Sequence, residues 1–143
     1  MTPGTIIFHK DFKFSDGQMK DKYLVVIGNL NRGVILVAKT TSKGHRYRLD
    51  FGCQSANRYP AFYLPQRSCC FPICTWICLD EFYELNEQSL TQSMTGGEVY
   101  KYGVLENSLT RDLQFCAKDA DDISVHQEAM IDGSLAPKGT KSP

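Results

Sequence analysis

Two neighbouring apolar runs constrain the fold of this chain more than any other feature of its sequence. Residues 23–27 read YLVVI and residues 34–38 read VILVA. Unbroken apolar character over this length is typical of a strand that is buried on both faces. The short linker between the runs, residues 29–33, contains asparagine and glycine and favours a hairpin. The sequence therefore predicts a central antiparallel pair of strands.

Shorter segments of β-branched and aromatic residues indicate further strands, because these side chains are enriched in sheets. The segments are residues 5–8, 47–51, 61–64, 73–79 and 98–104. In the segment 73–79, strict alternation places Ile77 and Leu79 on one face and Trp76 on the other.

Helix signals appear only in the second half of the chain. Asn86 is a favourable cap for a short helix, and Ser108 is one for a second helix over residues 109–117. Many short strands with few helices predict a mainly β fold with a minor α content, built as a small barrel or sandwich. We expect one domain over residues 1–117, followed by an acidic and then flexible tail over residues 118–143.

The formal net charge of zero hides a strong asymmetry between the two halves of the chain. Residues 1–67 contain 11 Lys and Arg but 4 Asp and Glu, whereas residues 68–143 contain 5 and 12. A basic face built from the first half would attract phosphate groups. The alternative is that folding interleaves the two halves, so that no basic face forms.

The six cysteines do not predict a disulfide framework, because the N-terminus lacks the basic start and apolar stretch of a signal peptide. We expect reduced, buried thiols in a cytoplasmic protein. Cys69, Cys70, Cys74 and Cys78 depart from the spacing of zinc ribbons, so a zinc or redox module is the weaker alternative. No apolar run reaches the roughly 18 residues of a membrane span, and we expect no metal, cofactor or membrane partner.

Five segments occur in the order and spacing of one known family. They are residues 3–7 (PGTII), 11–17 (DFKFSDG), 22–27 (KYLVVI), 37–43 (VAKTTSK) and 76–82 (WICLDEF). Taken together they resemble the PemK/MazF family of toxin endoribonucleases, over roughly residues 3–115. The resemblance implies an SH3-like small β-barrel with a short helix and a C-terminal helix, usually in a homodimer.

The resemblance also implies an activity, which is cleavage of single-stranded RNA without a metal ion. Many members of the family are neutralised by a partner antitoxin, so we expect an antitoxin protein or RNA as a partner. Cleavage of this kind needs a base for the 2′-hydroxyl, an acid for the leaving 5′-oxygen, and donors or cations for the phosphoryl oxygens.

The resemblance assigns roles to Lys22, Thr40, Thr41 and Asp80, whereas His45 and the basic residues are candidates because of their own chemistry. The expected catalytic residues are Lys22, Thr40, Asp80 and, as a supplementary acid or base, His45. The expected RNA-binding residues are Lys20, Lys39, Thr41, Lys43, Arg46 and Arg48. Four aromatic residues near them in sequence are candidates for stacking on bases: Phe12, Phe14, Tyr47 and Tyr59.

Lys22 stands where the family has an arginine, and this departure defines the main alternative function. Lysine keeps the positive charge but lacks the planar fork that binds phosphate through two hydrogen bonds. The alternative is a catalytically weakened barrel that binds a protein or a nucleic acid. Related barrels bind a topoisomerase, and a role in host–virus conflict is a further form of this alternative.

Overall fold

The computed structural model describes residues 1–30, 33–44, 47, 49, 52–56, 58–64 and 71–138. Within these residues the chain forms eight strands and three helices. The elements are β1 (Thr5–Lys13), β2 (Met19–Leu30), β3 (Val34–Thr41), β4 (Gly52–Gln54), β5 (Ala61–Leu64), β6 (Thr75–Cys78), β7 (Tyr83–Asn86), α1 (Glu87–Thr95), β8 (Val99–Val104), α2 (Asn107–Asp119) and α3 (Val125–Asp132). The fold is mainly β with a minor α content, as the sequence predicts.

The two apolar runs form the antiparallel centre of the sheet, and this prediction is confirmed. Val25 of β2 pairs with Ala38 of β3, and both strands are buried on both faces. One face contributes residues such as Val25 to a large core beneath α2 and α3. The opposite face contributes residues such as Val26 and Val37 to a smaller core that includes Leu90 of α1. The two runs are apolar at every position because each face of the sheet packs against its own core.

The sheet is open, and the prediction of a closed barrel is not met. The paired strands run in the order β4, β5, β6, β3, β2, β1, β8, with β7 also paired to β3, so among the described residues no ladder joins β4 to β8. Helix α2 packs against β2 and β4 and buries Leu113 in the large core. A helix thus covers apolar surface that strand closure would cover in a barrel.

Residues 118–136 differ from the predicted tail, because they pack on the domain. Helix α3 begins at a capping box made by Ser124 and Gln127, and it buries Met130 and Ile131. Beyond the helix, Ala136 is also buried and accepts a hydrogen bond from Arg111 at 3.0 Å. The domain therefore extends well past residue 117.

The fully buried Gln114 of α2 ties this C-terminal segment to the sheet. Its Nε2 donates to the carbonyls of Ile27 and Ser134 at 3.0 Å each, and its Oε1 accepts from the backbone N–H of Ala136 at 2.8 Å. One side chain thus satisfies backbone groups on two separate segments that water cannot reach.

We expect Gln114→Leu to destabilise the fold by about 2–4 kcal/mol, because a leucine of similar size leaves these buried groups unsatisfied. Urea unfolding followed by circular dichroism measures the effect. Gln92→Leu, at an exposed position of α1, is the matched control and should change the free energy of unfolding far less. Equal stability of the two variants would contradict the proposed role of Gln114.

The expectation that all cysteines are reduced is wrong for two of the six. Cys53 of β4 and Cys116 of α2 form a disulfide across 63 residues of sequence. Cys74 and Cys78 are free thiols, and Cys69 and Cys70 lie outside the described residues. The pairing arises because α2 packs beside β4, which no local sequence pattern reveals.

Several element boundaries also differ from prediction. Ser108 lies inside α2, which begins at Asn107 after Glu106, so Ser108 is not its cap. The predicted strand over 47–51 lies partly outside the described residues, and Leu49 is exposed and not in a strand. The cap at Asn86 is confirmed, since its side chain accepts from Ser89 N–H at 3.0 Å. In the described part of the chain, no helix is long and apolar enough to cross a membrane.

Candidate functional site

Two predicted catalytic residues meet where the neighbouring strands β2 and β3 run side by side. Lys22 lies near the start of β2 and Thr40 near the end of β3. The Lys22 ammonium donates to the backbone carbonyl of Thr40 at 3.1 Å. The antiparallel pairing of these strands, which the hairpin signal predicts, brings the two residues together.

Four lysines, all among the residues predicted from the sequence, surround this point. They line a groove of about 310 Å³, which we call the lysine groove. Its lining residues are Phe14, Lys20, Asp21, Lys22, Lys39, Thr40, Thr41, Ser42, Lys43, Tyr47 and Cys78. Clustered ammonium groups along a groove form the electrostatic footprint expected for a phosphate backbone.

Lys22 differs electrostatically from an ordinary surface lysine. Burial lowers its pKa below the usual value of 10.5, and the nearby Cys78 opposes this shift. The positive charges of Lys39, Lys20 and Lys43 lower the pKa of Lys22 further. An anion placed in the groove would relieve this repulsion, so the ammonium cluster favours binding of a phosphate.

The two threonines at the end of β3 have different hydrogen bonds. Thr40 is buried, and its hydroxyl donates to the carbonyl of Tyr23 at 2.9 Å. Thr41 is partly exposed, and its hydroxyl oxygen accepts from the backbone N–H of Lys43 at 3.1 Å. Accepting this bond leaves the Thr41 O–H as a donor toward the groove. Thr41 is thus better placed than Thr40 to contact a phosphoryl oxygen.

Asp21 contributes a carboxylate to the groove lining, and the carboxylate that lies beside the Lys39 ammonium belongs to Glu81, not to the predicted Asp80. Asp80 has one buried oxygen with no hydrogen-bond partner among the described residues, and its negative charge helps to raise the pKa of the Cys78 thiol, which burial raises most. Glu81 instead accepts hydrogen bonds from Ser15 and Tyr83 and lies 4.0 Å from the Lys39 ammonium.

Glu81 is ionised and held in place by its partners. Burial alone would raise its pKa, but the hydrogen bonds from Ser15 and Tyr83 and the charge of Lys39 outweigh burial and hold the pKa below its ordinary value. Glu81 therefore neutralises part of the Lys39 charge and positions that ammonium over the ring of Phe14, 4.9 Å from its centroid. Glu81 directly follows Asp80 within the matched segment 76–82. The sequence therefore does not show which of the two carboxylates faces Lys39, and only the fold does.

A second cavity adjoins the lysine groove, with a volume of about 360 Å³; we call it the aromatic cavity. Its lining residues are Asp21, Lys22, Tyr23, Thr40, Thr41, Ser42, Phe71, Pro72, Ile73, Thr75 and Tyr102. The stretch from Thr40 to Ser42, together with Asp21 and Lys22, lines both spaces. This cavity was not predicted, because its aromatic residues come from three distant parts of the chain.

The loop after β3 is held against the chain's single tryptophan. Gly44 approaches Trp76 so closely that a Cβ at this position would overlap the indole ring. Trp76 also stacks on Tyr47 with ring centroids 5.9 Å apart and packs against Tyr63 at 4.8 Å. Glycine is therefore required here for space, and this contact fixes the loop that carries Lys43.

The remaining predicted residues divide into two groups. His45, Arg46 and Arg48 lie outside the described residues. Of the four aromatic residues predicted to stack on bases, two line the lysine groove, namely Phe14 and Tyr47. Phe12 is buried in the smaller core, and Tyr59 packs near the guanidinium of Arg58, so neither lines the groove.

Sequence comparison finds no protein-family model and no characterised protein that matches this chain.

Proposed function

We propose that this protein is an endoribonuclease that binds single-stranded RNA along the lysine groove and cleaves it without a metal ion. The observation that carries the proposal is that four lysines line the same groove as the partly exposed Thr41. Ammonium groups neutralise the backbone, and a hydroxyl donor placed among them can contact a phosphoryl oxygen during its displacement.

The groove offers a group for each part of the reaction. The exposed carboxylate of Asp21 borders both cavities and can accept the proton of the attacking 2′-hydroxyl. Thr41 donates to the phosphoryl oxygen on which charge develops. Lys22, whose pKa is lowered mainly by burial, gives up a proton to the leaving 5′-oxygen more readily than an ordinary lysine. The products are a 2′,3′-cyclic phosphate and a free 5′-hydroxyl. The proton that Lys22 gives to the 5′-oxygen balances the proton that Asp21 takes from the 2′-hydroxyl.

The motif resemblance supports a wider form of the same proposal. On that basis we propose an SH3-like fold of the PemK/MazF type, a homodimer, an antitoxin protein or RNA as a partner, and a cytoplasmic location. These features belong to the proposal together with the cleavage activity.

Binding without cleavage is the second candidate, and the hydrogen bonds of Thr40 and Lys22 favour it. The Thr40 hydroxyl is engaged by the Tyr23 carbonyl, and the Lys22 ammonium is engaged by the Thr40 carbonyl. Groups held in this way can support a backbone-binding groove without taking part in proton transfer.

Incubation of the purified full chain with a long single-stranded RNA in EDTA distinguishes the two candidates. Cuts at defined positions that are lost in Thr41→Val, which removes the hydroxyl and keeps the shape, support the endoribonuclease. A 2′-deoxy substitution at the cleaved position should abolish the cut, because the attacking hydroxyl is then missing. Binding without any cut supports the second candidate, and absence of both binding and cutting overturns the proposal.

The lowered pKa of Lys22 gives the groove a characteristic pH dependence. Below this pKa the ammonium is charged and binds phosphate, and as the pH rises through it, still below 10.5, the charge and part of the affinity are lost. We expect wild-type affinity for single-stranded DNA, which resists alkali, to fall several-fold in this window. Lys22→Arg should delay the fall, because a guanidinium stays charged to a pKa of about 12 or more.

Fluorescence anisotropy of a labelled oligonucleotide, measured at constant ionic strength, follows this dependence. Lys138→Arg, at an exposed lysine after α3, is the control and should leave the wild-type profile unchanged. A parallel decline of affinity in wild type and Lys22→Arg would show that Lys22 does not contribute its charge to binding.

A further inference from the structure

The aromatic cavity has walls of two kinds. One wall is formed by the rings of Tyr23, Phe71 and Tyr102, which contact one another with centroids 4.6 Å apart for Tyr23 and Tyr102 and 5.7 Å apart for Phe71 and Tyr102. The other wall carries the polar groups from Thr40 to Ser42. At about 360 Å³ the cavity lies in the usual range for small-molecule sites, about 300–1,000 Å³.

The aromatic cavity and the lysine groove share a wall, so a ligand in one lies directly beside the other. Lys22 and Thr41 line both, so a phosphate held by Lys22 lies at the entrance of the aromatic cavity. A nucleotide joins a charged phosphate to a flat, weakly polar ring. The two cavities present a matching pair of surfaces, with cations on one side of Lys22 and aromatic rings on the other.

The rings are only partly used by the core. Phe71 is buried, but Tyr23 and Tyr102 are partly exposed where they line the cavity. Core packing alone would favour complete burial of such large apolar surfaces. Their partial exposure beside a cationic groove is typical of surfaces on which single-stranded nucleic acids stack.

We infer that the aromatic cavity binds one base of the RNA strand whose phosphate lies in the lysine groove, an inference that deepens the function proposed above and rests on it. The base packs against the ring of Tyr102, and the adjoining phosphate is held by Lys22. Stacking tolerates any base, because every base presents a flat π-face. The cavity therefore adds affinity and fixes the position of the strand relative to Thr41.

Two probes separate the base contribution from the phosphate contribution. One is a labelled single-stranded oligoribonucleotide, and the other is an abasic oligomer of the same length, with the same sugar–phosphate charge but no bases. Fluorescence anisotropy gives the affinity of the full chain for each. We expect the abasic oligomer to bind about 5- to 150-fold more weakly than the RNA.

Variants of Tyr102 then locate the difference in this cavity. Tyr102→Leu should weaken binding of the RNA by a factor in the same range and leave binding of the abasic oligomer unchanged, whereas Tyr102→Phe, which retains the ring, should bind RNA like wild type. Tyr100→Leu is the matched control, because Tyr100 lies on the same strand β8, is 48% exposed and does not line the cavity. Unchanged binding of the abasic oligomer also shows that the leucine variant is folded.

The outcomes distinguish failure of this inference from failure of the proposed function. If RNA and the abasic oligomer bind equally well, or if Tyr102→Leu weakens both alike, the base subsite is overturned while the lysine groove stands. If wild type binds neither probe, both proposals are overturned. Selective loss of RNA affinity in Tyr102→Leu, with Tyr102→Phe and Tyr100→Leu unaffected, supports the subsite.

Discussion

Replacement of Lys22 by alanine should lower the rate of RNA cleavage by about 100- to 10,000-fold, because it removes the group that protonates the leaving 5′-oxygen. Lys22 lies at the boundary of both cavities, and its ammonium is the one that the shared wall presents to each of them. The Lys22 ammonium donates to the Thr40 carbonyl at 3.1 Å, whereas Lys39 is partly neutralised by Glu81 at 4.0 Å. Lys39 therefore cannot replace the lost charge at the same position.

A series at position 22 separates charge from shape. Lys22→Arg keeps the positive charge, but a guanidinium does not give up a proton to the leaving 5′-oxygen, so we expect cleavage slower than wild type and faster than Lys22→Ala. Lys22→Met keeps most of the side-chain length without the charge and should be as slow as Lys22→Ala. The rates are measured under single-turnover conditions on a labelled RNA, so that binding and chemistry are resolved.

Lys138→Ala serves as the matched control, because it removes an exposed lysine outside both cavities. If Lys138→Ala and Lys22→Ala slow cleavage equally, general charge and not the position of Lys22 accounts for the effect. Wild-type cleavage by Lys22→Met would remove Lys22 from the mechanism altogether.

Loss of the disulfide between Cys53 and Cys116 should have the largest effect on stability. The bond closes a loop with a sequence separation of 63 residues, and the chain-entropy model assigns such a loop about 4 kcal/mol. The bond also ties the short edge strand β4, three residues long, to α2, whose buried face covers the open side of the sheet. For a domain of this size we expect the melting temperature to fall by roughly 10–15 °C.

Thermal and urea unfolding of Cys53→Ser, Cys116→Ser and the double variant test this prediction. The double variant should be as unstable as either single variant, because the second substitution removes no further cross-link. Cys74→Ser is the control: Cys74 is a free thiol that accepts a hydrogen bond from Tyr63 at 3.2 Å, and serine preserves an acceptor there. Equal melting of wild type with and without reductant would show that the bond does not stabilise the fold.

Local sequence patterns predicted the centre of the sheet because its residues are close in the chain. The runs that became β2 and β3 are unbroken in apolar character, and burial on both faces follows directly from that. The sequence also predicts Asn86 as a cap, because an asparagine side chain can accept from an N–H three residues on, as it does from Ser89. Ile77 and Leu79 lie in the large core while Trp76 packs elsewhere, as alternation predicts.

Local sequence patterns predict less of the structure where packing between distant segments determines it. Helix α3 has no clear apolar stripe, and its placement depends on Met130 and Ile131 meeting the surface of β2. The described strands leave the sheet open between β4 and β8, and α2 packs against β2 and β4. A composition-based tail prediction failed for the same reason, since Gln114 binds residues that look unstructured in isolation.

The sequence by itself determined the central hairpin and the lysines and threonines at its end, because strand pairing brings residues of adjacent segments together. Only the tertiary structure decided which of these groups are free to act. It buried Thr40 and left Thr41 partly exposed, and it placed the Glu81 carboxylate beside the Lys39 ammonium. The disulfide and the aromatic cavity also depend on long-range contacts, since each joins residues that are far apart in the chain and meet only when the sheet and helices pack.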